Sequence, residues 1–241
     1  MTGFDFKDQV AIITGVGRVG QIGHAIAEAL GRAGARLVIC DVNAVAVAAR
    51  AKEFAAKGIE VKPAAGDLSQ PDVANYLVEE ATRSFGRLDV LVNVAGGFAM
   101  GPIADAGPDV LEQQLTMNAK TMYVVSRAAC RAMAAQKSGA IVSFSSISGL
   151  SPKGNQVAYS AAKAAVAAVT RALALEVRDD GVRVNAVAPG TVRTHDNRAT
   201  MADAKVYWVE ISELVNAVLF LASEAAAGIT GHVLPVSHGE S

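Results

Sequence analysis

Tyr159 and Lys163 lie four residues apart in the alanine-rich stretch AYSAAKAAVAAV, so on a helix they share one face. A phenol with its ordinary pKa of about 10 is a poor acid or base near neutrality. An ammonium several ångströms away would stabilise the phenolate and lower that pKa, which is the tuning general acid–base catalysis needs. Taken alone, the spacing is common and more often marks an amphipathic surface pair than a catalytic one. Ser146 sits thirteen residues before the tyrosine, in SFSSISG at the end of an apolar run. If that run is a strand, the hydroxyl stands at the carboxyl edge, where open α/β sheets place their ligands.

A second constellation lies near the N-terminus. The apolar run Val10 to Thr14 leads into TGVGRVGQIG, Thr14 to Gly23, and then into HAIAEALGRAGA. Glycines between a strand and a helix let the backbone approach a pyrophosphate, and the helix N-terminus offers free N–H groups and the positive end of its dipole. Gly15, Gly17, Arg18, Gln21 and Ile22 are the candidate contacts of that turn. Asp41 closes the next apolar run, 18 residues after Gly23, where a carboxylate would accept from adenosine ribose hydroxyls. Asp41 would repel a 2′-phosphate, and Val42 after it is no cation, so NAD is expected over NADP. Arg18 could reverse this by reaching a phosphate, or it is a solvated loop arginine.

These groups need a scaffold. Apolar, β-branched runs recur at Val10–Thr14, Arg36–Cys40, Ile59–Ala64, Asp89–Asn93, Ala140–Phe144, Val182–Ala188 and His232–Val236. They lack polar alternation, as strands buried on both faces do. Helical stretches fall between them, at about Ile22–Ala33, Ala44–Lys57, Pro71–Phe85, Val110–Ala135, Val157–Asp179 and Ser212–Ser223. The cadence predicts an α/β fold: one doubly wound parallel sheet of about seven strands, Rossmann-like, with helices on both faces. Gly34, Gly58, Gly86, Gly139 and Gly181 are read as helix C-terminal caps, and Pro71 and Pro108 as helix starts. Residues 1–241 form one expected domain, with a substrate lid at about 189–209 that carries the sole tryptophan, Trp208.

Together, Thr14-Gly15 with Gly23, Asp41, Asp67 in GDL, NVAG at Asn93–Gly96, Asn118, Ser146, Tyr159, Lys163 and PGTVRT at Pro189–Thr194 resemble the short-chain dehydrogenase/reductase family over essentially the whole chain. The resemblance implies NAD(P)-dependent hydride transfer between a carbonyl or imine and its reduced partner. It makes Tyr159 the general acid/base, with Lys163 lowering its pKa and binding the nicotinamide ribose. It makes Ser146 the donor to the substrate oxygen and Asn118 the holder of a relay water. It places Asp67 and Leu68 by the adenine, and Asn93, Ala95 and Gly96 along the ribose side. Pro189, Gly190, Val192 and Thr194 would lie by the carboxamide and pyrophosphate.

The pattern departs from the family in three places. Seven residues separate Gly15 from Gly23, and Gln21 stands where the middle glycine is usual. Val94 replaces a polar residue in NVAG, trading a polar contact for packing. The segment after Thr194 is short, and VAGGFAMG with NRATMADAKVYW resembles the dihydropteridine reductases of the same superfamily. Reduction of a C=N bond is therefore kept as an alternative to an alcohol/ketone reaction. A non-catalytic dinucleotide-binding regulator is kept as a second, and a methyltransferase is disfavoured by the Tyr–Lys pair. Phe98, Met100, Ser148, Gln156, His195, Met201 and Trp208 are the expected substrate-pocket residues, with Met201 and Trp208 equally readable as lid anchors.

Partners are bounded by composition. Lys plus Arg is 22 against 23 for Asp plus Glu, so no polybasic surface for nucleic acid or anionic membrane is expected. No long uncharged apolar run predicts a transmembrane helix, and no secretory signal is visible. Cys40 and Cys130 read as buried hydrophobes in a reducing, cytoplasmic setting. The four histidines show no ligand spacing, so no metal is expected. The resemblance implies a homodimer or homotetramer binding a small-molecule substrate.

Overall fold

The apolar runs pair as parallel strands in a computed structural model that describes residues 3–201 and 206–239. They are β1 (Val10–Thr14), β2 (Arg36–Asp41), β3 (Val61–Ala65), β4 (Val90–Asn93), β5 (Gly139–Phe144), β6 (Val182–Pro189) and β7 (Val233–Val236). Their order is β3-β2-β1-β4-β5-β6-β7, all parallel. Every residue of β1 and β4 is buried, as two-sided coverage demands, whereas β3 and β7 at the sheet edges are partly exposed. Successive β1 side chains feed opposite cores. Ala11 and Ile13 join one cluster, Val10 and Ile12 the other.

One layer consists of α1 (Ile22–Arg32), α2 (Ala44–Ala56) and α9 (Ile211–Ala222), burying Ile26, Leu30, Phe54, Leu214 and Val218. The opposite layer holds α3 (Pro71–Phe85) and, further on, α5 (Thr121–Gln136) and α7 (Val157–Val177), burying Leu77, Val125, Met133 and Val177. Strand order reverses between β1 and β4, which opens the crevice where such sheets bind ligands.

The structure corrects the expected elements at four points. The predicted helix 110–135 is divided into α4 (Pro108–Gln114), a π-helical turn at Leu115–Lys120, and α5. Gly139 does not cap a helix. It begins β5, while Lys137 takes the left-handed conformation after α5. A Cβ at Gly139 would collide with Met133, so the glycine serves close packing instead. The segment 189–209 is not wholly irregular: Pro189 ends β6, and α8 spans His195–Thr200. A further short helix, α6 (Ile147–Leu150), follows β5. Elements of four to six residues are too short for periodicity to reveal. Among the described residues no helix is long and apolar enough to cross a membrane.

Candidate active site

Strand β5 delivers its last residues to the carboxyl edge, and α6 and α7 pack there through small side chains. Ser145 Oγ donates to the Lys163 carbonyl (2.9 Å), and a Cβ on Gly149 would press into the Lys163 and Ala164 backbone. That close approach brings the Ser146 hydroxyl near enough to the Tyr159 hydroxyl to stabilise its phenolate. Ser146 also caps α6, its Oγ accepting from Ser148 N at 3.2 Å. Lys163 is buried one helical turn on, its Nζ donating to the Phe144 carbonyl (2.8 Å) and lying 5.7 Å from the Tyr159 ring centre. Phe98 packs edge-on against Tyr159, with ring centres 4.8 Å apart. The structure thus brings together Ser146, Tyr159, Lys163 and Phe98.

Proton affinities differ from the expectation of a lowered tyrosine pKa. Burial pushes the Tyr159 phenol upward, only partly opposed by the Ser146 hydrogen bond, and burial brings Lys163 down to about 8. Spacing places the lysine correctly, but desolvation acts on both groups at once and outweighs their proximity. In the protein alone Tyr159 therefore holds its proton across the neutral range.

Asn118 lies in the π-helical turn, a feature frequent at functional sites. Its Nδ2 donates to the carbonyls of Gly97 and Gln114, both at 3.0 Å, and its Oδ1 accepts from Gly97 N at 3.2 Å. Those contacts tie the carboxamide to the chain itself, so the side chain clamps the segment after β4. Gly96 and Gly97 fit beneath it: a Cβ on Gly96 would lie 2.6 Å from Asn118 Oδ1 and 3.7 Å from Lys163 Nζ. The role of Gly97 in this clamp was not anticipated from sequence.

Gly96 also lines a groove of about 920 Å³ at the switch point. It is lined by Gly15, Arg18, Gln21, Ile22, Asp41, Val42, Asp67, Leu68 and Ala95. Thr14 Oγ1 accepts from Val94 N and Ala95 N (3.0 Å each), which ties the β1 tip to the β4 tip. Gly15 takes a positive φ of 72° and runs against the Ala95 backbone. A Cβ on Gly23 would sink into the Gly15 carbonyl oxygen, so this turn is as tight as a backbone cradle requires. Together with the uncapped α1 N-terminus, the turn fits a dinucleotide pyrophosphate. Gly23→Ala is expected to weaken NADH binding by about tenfold or more and to lower stability by about 1–3 kcal/mol; fluorescence titration and thermal denaturation check both.

Asp41 receives Gly17 N on Oδ2 (2.7 Å) and Asn43 N on Oδ1 (3.0 Å), which fixes its carboxylate in the groove wall. Asp67 accepts from Ser69 N at 2.9 Å, and that hydrogen bond keeps its carboxyl below the usual range. Two further acids in the groove wall, Asp109 and Glu112, were missed because their sequence positions carry no motif. Arg18 is the one cation among the described residues lining the groove.

Other predicted cofactor residues play different parts. Asn93 faces inward, its Nδ2 donating to Ser126 Oγ (3.0 Å) and Ser143 Oγ (3.2 Å), and does not line the groove. Gly190 N donates to the Val236 carbonyl at 2.9 Å just after Pro189 ends β6. Val192 is buried in a parallel bridge with Val209, and Thr194 caps α8 by accepting from Asn197 N at 3.2 Å.

The predicted pocket residues do not form one wall. Ser148 Oγ bonds Gln156 Oε1 at 2.7 Å, beside Ser146. Met100 instead lines a separate apolar cavity of about 310 Å³ with Ile103, Val110, Leu111, Val157 and Ala158. His195 is 87% exposed at the side chain and lies 3.6 Å from Asp196. Trp208 stacks with the Arg193 guanidinium (5.3 Å), which bonds Glu210 at 2.7 Å, so it anchors the base of the segment. Met201 is half-buried at the end of α8, and the expected lid positions 202–205 lie outside the described residues. Away from the groove, His24, Glu28 and Glu53 approach one another, but Lys57 Nζ bonds both glutamates (3.0 and 2.9 Å), making this a salt-bridge network.

Known proteins resemble this chain over nearly its whole length. The family described as short chain dehydrogenase matches residues 9–205. The 3-oxoacyl-[acyl-carrier-protein] reductase of Escherichia coli K12 is 32% identical over 248 residues, covering 98% of each chain. Cis-4-hydroxycyclohexanecarboxylate dehydrogenase of Sinomonas cyclohexanicum is 35% identical over 246 residues, 97% of each. A crystal structure of NAD⁺-bound xylitol dehydrogenase superposes with a TM-score of 0.90 at 27% identity, covering 97% of this chain and 99% of that one.

Proposed function

This chain belongs to the short-chain dehydrogenase family, and from that premise we propose an NADH-linked carbonyl reductase and alcohol dehydrogenase that works through Tyr159. The protein is an NAD(P)-dependent oxidoreductase acting on alcohol/ketone pairs. A dihydropteridine-like reaction and a purely regulatory role are not favoured, because the matched relatives are dehydrogenases and reductases.

The observation that carries the residue assignment is the convergence of Ser146, Tyr159 and Lys163, with Lys163 beside Gly96 of the groove wall. Nicotinamide dinucleotide, when bound, supplies or accepts the hydride. The turn at Gly15–Gly23 and α1 hold the pyrophosphate, and Asp41 and Asp67 take the adenosine end. Ser146 orients the substrate oxygen, and Tyr159 gives that oxygen its proton as the carbonyl becomes an alcohol. Lys163 stands behind the phenol and holds the nicotinamide ribose. The described parts of the segment 189–209 serve as a lid for the substrate on this single domain.

NAD is preferred over NADP because four acids and a single cation line the groove. The kcat/KM ratio for NADH over NADPH is expected to exceed about tenfold, the effect of roughly 1.4 kcal/mol of like-charge repulsion at a hydrated site. Steady-state rates with a panel of ketones and both cofactors test the assignment. A ratio favouring NADPH sinks the cofactor preference, and saturable NADH binding without turnover of any ketone sinks the reaction.

Association as a homodimer or homotetramer is supported by apolar side chains exposed on α4, α5 and α7, namely Leu111, Tyr123, Val157 and Leu175. The two free, buried cysteines suit a reducing cytoplasm.

A further inference from the structure

Arg18 and Asp196 are 178 residues apart in sequence, yet Arg18 Nη1 meets Asp196 Oδ2 at 2.5 Å. The first belongs to the cofactor turn and the second to α8. Behind Arg18, the Gly17 N–H is already fixed by Asp41. Residues 17 and 18 therefore link the acid at the adenosine end to the acid on α8. Among the described residues the second Asp196 oxygen has one ion-pair neighbour, the His195 ring at 3.6 Å. The base of the α8 segment is held independently by the Val192–Val209 bridge, by Asn197 Nδ2 on the Val192 carbonyl (2.8 Å), and by Arg193 with Glu210. The Arg18 pair is thus the ionic tie between α8 and the turn, and it engages the one cation of the groove.

We infer that Asp196 is a specificity-determining residue: it holds Arg18, which lines the groove, and so couples cofactor choice to retention of the cofactor at the turn. With NADH the pair stays intact and slows release. A 2′-phosphate would compete with Asp196 for the same guanidinium, so binding of NADPH sacrifices the tie. This rests on the NAD-preferring reading of the groove and assigns a device for it. Both side chains are largely exposed, 73% and 51%, so the pair has the modest strength of a hydrated ion pair.

Stopped-flow measurement of NADH dissociation from the full-length protein tests the coupling, using Asp196→Asn, Arg18→Gln and the double variant. Each single change is expected to speed release about two- to fivefold, the range of an exposed pair. The double variant should release no faster than Arg18→Gln alone, because both remove the same interaction. High salt should bring the unaltered protein to the same rate. Asp196→Asn should also raise kcat/KM for NADPH by a similar factor, whereas Arg18→Gln should not. Multiplying effects of the two single changes would overturn the inference, as would an Asp196→Asn protein indistinguishable from the parent in both readouts. A parent that favours NADPH would instead refute the cofactor reading, and the NADH release cycle would still decide the coupling.

Discussion

Replacing Tyr159 by phenylalanine is expected to lower kcat for ketone reduction by about 10²–10⁴-fold, the range of a lost general acid. NADH affinity should change less than about threefold, because the groove is built from other residues and only one hydroxyl is removed. The packing against Phe98 survives, since the ring remains. Direction matters as well. Burial holds the phenol protonated near neutrality, so the free protein is set to donate a proton, and reduction should proceed at pH 6–7. Alcohol oxidation requires the phenolate, so its kcat/KM should climb with alkaline pH, while the residual Tyr159→Phe rate should stay flat. Equal loss of NADH binding in the variant, or a residual rate that keeps the parent's pH profile, would move Tyr159 out of the acid/base role.

What the chain reveals before folding depends on the range of the forces involved. β1 and β4 are legible because two-sided burial writes uninterrupted apolar runs into the sequence. β3 is less so: Lys62 and Pro63 belong to an edge strand, and its start is two residues later than the apolar run suggested. Nothing in the sequence over 110–135 marks the π-helical turn, so nothing local shows that Asn118 would be turned onto Gly97. At the site, the nearness of Tyr159 and Lys163 is legible because a helix converts a four-residue step into adjacency. Spacing says nothing about dielectric, and the direction of the Tyr159 shift had to come from burial. The Arg18–Asp196 pair lies beyond any sequence window, as do the contributions of Asp109 and Glu112 to the groove. These depend on where two distant segments dock.

Lys163→Met is expected to abolish most activity and yet leave the cofactor-free protein as stable as the parent, or more so, at pH 7. Burying the ammonium brings its pKa from 10.5 to about 8, a charge held where water cannot reach it. A shift of that size costs about 3 kcal/mol at neutral pH. Methionine matches the length of the stem without the charge, but it leaves the Phe144 carbonyl without its donor, which costs about 1–3 kcal/mol. The balance is near zero to about 2 kcal/mol in favour of the variant. The pH dependence separates this account from simple tolerance. Between pH 8 and 10.5 the unfolded lysine still carries its proton while the folded one has lost it, so the parent gains stability as pH rises through that window. The variant lacks the group and should lack that gain. Denaturant melts at pH 7 and pH 10 measure it: the difference between the two proteins should shift toward the parent by roughly 3 kcal/mol on going alkaline. A variant destabilised by several kcal/mol at pH 7, with the parent's pH dependence intact, would mean that Lys163 is held as a stabilising donor rather than retained at a cost for its work beside Tyr159.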